Sequence, residues 1–216
     1  MTPSSQLSTE PLTDRPRDLG SLIRGRRSVR KMLPEPVPAE VIREAIAAAG
    51  WAPSPHGRQP WRFAVIESDA RKQRLADDLA DAWQRQLALD GQEQSVIELR
   101  LRKSQERIVT APVIVVACLY LVDLDPYPDA ERTSAERTMA IQSLGAALQN
   151  FLITIYASGY DAGWMCAPLF APDVVRRALD LSPEMIPQAI LPVGKAAAEP
   201  KRRPRLPVEK LIAVWE

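Results

Sequence analysis

Apolar side chains recur at Val41, Ile42, Ala45, Ile46 and Ala49, the spacing of one helix face, with Pro38 in the first turn and Gly50 at the stop. The preceding Leu33-Pro-Glu-Pro-Val-Pro38 cannot be helical throughout, because alternating prolines remove backbone donors and fix φ. A helical turn is predicted at the start of 21–31, a loop stiffened by Pro53 and Pro55 over 51–59, and a strand over 61–67. An amphipathic helix follows over 69–89, where Leu75, Leu79 and Trp83 share a face, and then a more charged helix over 93–109. Residues 113–121 are apolar without alternation and rich in β-branched side chains, as in a strand buried on both faces. After a loop over 123–131, the longest helical pattern covers 134–158, with Met139, Leu144, Leu148, Phe151, Leu152 and Ile155. Ala140, Gly145, Ala146 and Ala147 allow close helix approach there. A helix apolar on several sides must be buried, in the core or against a second subunit. A short strand over 163–166, a helix opened by Pro172 and Asp173, a strand over 188–193, and a strand or helical turn over 208–215 complete the pattern. It describes a single α+β domain over 21–216 with four or five strands, preceded by a polar arm over 1–20.

The 216 residues, 46% hydrophobic and 25% charged, suffice for one core of ordinary size and exclude a mostly disordered chain. The longest apolar run, 111–122, falls short of the roughly 18–20 residues that cross a bilayer. The first twenty residues lack the apolar stretch of a signal peptide. A cytoplasmic protein without a membrane partner is expected. With one histidine, His56, no multi-histidine metal site forms within a subunit. Cys118 and Cys166 belong to no Cys-x-x-Cys, which removes the ordinary structural zinc site; a disulfide between them stays open on paper.

The net charge of +1 counts against a nucleic-acid coat, yet the cations are unevenly placed. Arginine outnumbers lysine 22 to 6, and Arg24, Arg26, Arg27, Arg30 and Lys31 crowd eight positions. In extended backbone, Arg26, Ser28 and Arg30 point one way and converge on an anion; otherwise the stretch is a solvated basic segment. The second segment, Ala52-Pro-Ser-Pro-His-Gly-Arg-Gln-Pro-Trp61, offers polar groups on a stiff loop, or is simply a structural turn with His56 on the surface. The third, Pro200-Lys-Arg-Arg-Pro-Arg-Leu-Pro207, is a charged tail that Pro204 and Pro207 hold extended. Guanidinium forks suit phosphate, so the two arginine clusters can close on one phosphate if the chain ends meet.

These three segments, in this order, resemble the nitroreductase-like flavoprotein family from about residue 22 to 208. Arg26-Arg27-Ser28-x-Arg30 is similar to the family's Arg-Arg/His-Ser-x-Arg/Lys, and Ala52-Pro-Ser-x-x-x-x-Gln-Pro-Trp61 to its Ala-Pro-Ser-x-x-Asn-x-Gln-Pro-Trp. Pro192-Val-Gly194 and Arg203-Pro-Arg205-Leu-Pro are similar to its last strand and basic tail. The resemblance implies a central, mostly antiparallel sheet flanked by helices, and an intertwined FMN-dependent homodimer with the long helix at its centre. By position, Arg26, Arg27, Ser28 and Arg30 would hold the FMN phosphate and ribityl chain, completed by Arg203 and Arg205. Pro53, Ser54 and Gly57 would approach the flavin from the other subunit. Met165, Cys166, Ala167 and Pro168 would run along the ring with backbone donors. Gly57 departs from the family's asparagine.

Ala52-Pro-Ser-Pro-His, Ala135-Glu-Arg-Thr-Met139, Gly145-Ala-Ala-Leu-Gln-Asn150 and Leu169-Phe170 resemble one branch, the flavin domain of the coenzyme F-420 biosynthesis proteins. That branch implies reduction of the dehydro precursor of the deazaflavin coenzyme, with His56, Arg58, Arg62 and Arg137 meeting the substrate. The wider family implies NAD(P)H-dependent reduction of nitroaromatics or quinones. The donor is a nicotinamide or a reduced deazaflavin. The flavin carries the redox step, so no catalytic side chain is required beyond a role for His56. A non-catalytic flavin-binding protein and a basic nucleic-acid-binding dimer are the readings of another class.

Overall fold

The computed structural model describes residues 18–200 and 202–216. Residues 1–17 of the expected arm, and Lys201, lie outside them. The elements are α1 (Leu19–Gly25), α2 (Ala39–Gly50), β1 (Trp61–Ile66), α3 (Asp69–Leu89), α4 (Gln94–Val109), β2 (Val113–Tyr120), α5 (Ala130–Ala157), β3 (Asp161–Ala162), α6 (Pro172–Ala178) and β4 (Met185–Gly194). Short 3-10 turns occupy Pro55–Gly57, Ala167–Phe170 and Val208–Lys210.

The strands form one sheet in the order β1-β2-β4-β3, every neighbouring pair antiparallel. β2 is central, which explains its unbroken apolar run. Val113, Val115, Ala117 and Leu119 face one core with α2 and α5. Ile114, Val116 and Cys118 face the other, with Leu75 and Leu79 of α3, Ile108 of α4 and Val175 of α6. The domain is thus a helix–sheet–helix sandwich, and a strand with both faces covered needs no polar alternation. α5 meets the length and composition of a membrane span, but Leu148, Phe151, Leu152 and Ile155 are buried against the sheet.

Three boundaries depart from the sequence expectations. α1 starts at Leu19 because the carboxylate of Asp18 accepts from the N–H of Ser21 at 2.8 Å, so the ordered domain begins before residue 21. α5 starts at Ala130, four residues earlier than expected, capped by Asp129 through the N–H of Arg132 at 2.8 Å. The strand expected over 163–166 is instead two-residue β3 followed by an isolated bridge from Met165 to Ile190. Gly163 donates to the carbonyl of Pro192 at 2.9 Å, but Pro192 has no N–H to return the bond, so the ladder breaks there.

The basic segment after α1 is held as an extended strand-like span. Val29 N–H donates to Ala162 O at 3.1 Å, Leu33 N–H to Lys195 O at 2.8 Å, and Ala197 N–H to Lys31 O at 3.0 Å. Val29 and Met32 point into the core while Ser28, Arg30 and Lys31 stay exposed. Gly163 makes this possible, since a Cβ on it would lie 2.5 Å from the carbonyl oxygen of Val29. Gly163→Ala is therefore expected to destabilise the fold by about 1–3 kcal/mol, read as a lower midpoint in urea denaturation.

Candidate functional site

The two basic ends of the chain meet. Arg26, Arg27, Arg30 and Lys31 line one side of a cleft of about 690 Å³, and Arg202, Arg203 and Arg205 line the other. Ser28, Val29, Ala198 and Pro200 complete it. The seat follows from local structure: residues 28–33 pair with β3 and with the segment leaving β4, and that segment continues into the basic tail. Nε and Nη1 of Arg26 are buried and have no hydrogen-bond partner among the described residues. Burial lowers the Arg26 pKa below the usual arginine value, and the charges of Arg205 and Arg27 lower it further. A half-buried guanidinium with two unmet buried nitrogens and two cationic neighbours is a site shaped for an anion.

Arg27 has a second task. Its Nη1 donates to the carbonyls of Gly25 at 3.2 Å and Arg26 at 2.7 Å, and to Arg24 O, closing the C-terminus of α1. Arg107, on the last turn of α4, has a pKa lowered by burial first and by the Arg30 charge second. Arg107 escaped the sequence reading. It sits in a charged helix with no motif around it, and only packing brings it to Arg30.

Met165 to Pro168 lie on the same sheet edge as the cleft. Ser28 bridges to Ala162, and Met165 is three residues further on, roughly 10 Å in extended chain. Met165 exchanges two hydrogen bonds with Ile190, both 2.9 Å, and Pro168 has no N–H. Of the backbone donors expected here, only those of Cys166 and Ala167 therefore remain.

The 52–59 loop lies elsewhere. It leads into Trp61, which pairs with Leu119 near the end of β2. Ala162 pairs with Val193, which lies opposite Val113 at the start of β2. Six residues of strand separate these ends, roughly 20 Å. One protomer therefore does not bring Pro53, Ser54 or Gly57 to the arginine cleft. The loop is tightly wound: His56, Gly57 and Gln59 have φ of 53°, 65° and 49°. The Ser54 hydroxyl accepts from the N–H of Gln59 at 3.0 Å. At Gly57, a Cβ would meet nothing within 4 Å, so the missing asparagine leaves open space beside the loop. Arg58 is ion-paired with Asp125. Arg62 sits 3.8 Å from Asp123 and stacks 4.5 Å over the Tyr120 ring. Both fasten the loop after β2. Exposed pairs of this kind are worth about 0–1 kcal/mol, so their release to a ligand costs little. His56 and Arg137 are exposed, Arg137 on α5.

Comparison with known proteins adds the following. The model of the nitroreductase family matches residues 23–195. An NADH dehydrogenase of Thermus thermophilus is 28% identical over 213 residues, spanning 88% of this chain and 92% of that protein. A 5,6-dimethylbenzimidazole synthase of Rhodospirillum rubrum is 30% identical over 183 residues, spanning 82% of this chain and 81% of that protein. A BluB-like flavoprotein from Clostridium difficile superposes with a TM-score of 0.79 at 26% identity, covering 93% of this chain and all of that one.

The two thiols separate cleanly. Cys118 is buried in β2, and burial pushes its pKa up to about 12, whereas Cys166 is exposed. Burial disfavours the thiolate, so at pH 8 Cys118 stays protonated and unreactive. Titration of the native protein with a thiol reagent is expected to label one cysteine per chain, Cys166, and two in denaturant.

Proposed function

The chain belongs to the nitroreductase family, and on that premise we propose that it is an FMN-dependent oxidoreductase that passes electrons from a nicotinamide nucleotide to a small planar acceptor. The observation that carries this is the half-buried Arg26 guanidinium, its Nε and Nη1 buried with unmet donors in a cleft assembled from both ends of the chain. A phosphate monoester satisfies such donors.

Arg26 and Arg205, with Arg203 and the Ser28 hydroxyl, would hold the FMN phosphate. Arg27 keeps α1 closed and so fixes the direction in which Arg26 points. The edge from Met165 to Pro168 would support the ring, with Cys166 and Ala167 supplying N–H donors. Arg30, which lines the same cleft, would add positive charge near the bound anion. When bound, FMN supplies the two-electron chemistry, receiving a hydride from the donor and reducing the acceptor. Pro53, Ser54 and Gly57 would reach this site only from a second protomer, since their own loop lies at the other end of β2 from the cleft. Leu206, Val208, Leu211, Val214 and Trp215 stand exposed on the tail, Trp215 at 84%, and a second copy of the chain would cover them.

A narrower substrate is favoured by the side chains around the loop. Arg58, Arg62 and Arg137 are exposed; Arg58 is held by a surface pair, and Arg62 by a surface pair, the Tyr120 ring and the carbonyls of Gln59 and Trp61. They would suit an acceptor bearing a carboxylate and a phosphodiester, as the dehydro precursor of coenzyme F-420 does. Parallel assays with that precursor, nitroaromatics and quinones decide the acceptor; preference for the latter two removes the deazaflavin substrate.

The purified protein is expected to be yellow, dimeric by light scattering, and to release FMN on denaturation. Arg26→Gln removes a charge-assisted contact worth about 1.5–3 kcal/mol and should weaken FMN binding roughly 10- to 150-fold. Colourless protein that takes up no added FMN would sink the proposal.

A further inference from the structure

The cleft holds more positive charge than one phosphate uses. A phosphate monoester carries about −1.5 to −2 at neutral pH. Beyond Arg26 and Arg205, Lys31 and Arg202 also line the walls. Like charges gathered in one concave site repel, and a second anion would offset them.

A second cavity, of about 450 Å³, opens beside the first and shares Arg27, Ala198, Pro200 and Arg202 with it. Its lining is of a different kind. Leu33, Ala196 and Pro200 give it apolar wall, Tyr156 an aromatic side chain, and Asp161 and Glu199 two carboxylates. Lys195, its other cation, is paired with Glu35 at 2.8 Å. An aromatic and apolar stretch within a largely polar lining suits a heterocyclic base with its polar edges, and a carboxylate accepts from ribose hydroxyls. Arg202 stands where the two cavities join.

We propose that the joined cavities form a nucleotide subsite, in which an adenosine phosphate sets its phosphoryl group against Arg202 and Lys31 and its nucleoside in the smaller cavity. The proposal rests on the flavin reading above, because it assigns Arg26 and Arg205 to the flavin phosphate. Two molecules bring this chemistry: the adenylyl half of FAD, and the adenosine end of a nicotinamide dinucleotide.

Titration of the FMN-loaded protein with ADP tests it. Saturable binding of one ADP per chain is expected, weakened about tenfold, or about 1.4 kcal/mol, by Arg202→Gln, with FMN content unchanged. Glu199→Gln should weaken ADP while leaving inorganic pyrophosphate as it was. FAD identifies the source. If FAD displaces FMN and blocks ADP together, the adenosine belongs to the flavin; if ADP competes with the nicotinamide nucleotide alone, it belongs to the donor. Either result supports the subsite. No ADP binding by protein that retains FMN overturns the subsite alone, as does binding indifferent to Arg202→Gln or no tighter than pyrophosphate. Protein that takes up no FMN overturns the flavin reading as well.

Discussion

Positive charges repel, and this fold brings two basic segments together with no carboxylate among the described residues lining the cleft between them. That crowding is the constraint around which the molecule is arranged. Burial first, and the Arg205 charge second, lower the affinity of Arg26 for a proton, yet arginines stay charged, so the cost is relieved by an anion rather than by deprotonation. The sheet meets the cost with backbone. Residues 28–33 are bonded to Ala162 and Lys195, and Lys31 O receives Ala197 N–H, so the approach is enforced by hydrogen bonds that charge cannot easily break. Val29 and Met32 add burial to the same span.

The antiparallel sheet also sets what one protomer lacks. Because β2 runs the height of the domain, its two ends serve different loops. The cleft sits at one end, with β3 and the tail. The wound loop holding His56 and Gly57 sits at the other, buttressed by Arg58 to Asp125 and Arg62 to Asp123. A ligand gripped by both must lie between two copies of the chain. The long helix α5 and the exposed apolar tail are the surfaces with reason to be covered.

The charged side chains divide by burial. Lys72 is buried yet satisfied, its ammonium bound to the carbonyl of Ala111 at 2.9 Å and paired with Asp69 at 2.8 Å, so it pins α3 to the turn before β2. Arg26 is half-buried, and its buried Nε and Nη1 have no partner among the described residues. The first pattern is structural, the second is binding capacity, and the difference is invisible in residue type.

Much of the architecture was legible along the chain. Leu75, Leu79 and Trp83 mark α3 to its observed ends, and the unbroken run after Ala111 marks a strand covered on both faces, because local periodicity reflects which faces are buried. Ends set by single side-chain bonds were less legible: Asp129 extends α5, and Pro192 splits the edge strand through a donor it lacks on a neighbouring strand. The two arginine clusters stood out in the sequence as segments able to contact an anion or to lie solvated. Their meeting in one cleft, the capping duty of Arg27, the influence of Arg30 on Arg107, and the distance between cleft and loop were decided by tertiary structure alone. Residue type determines what a side chain can bind, but which side chains share a space depends on strand order and register, and those are set by contacts between segments far apart in the chain.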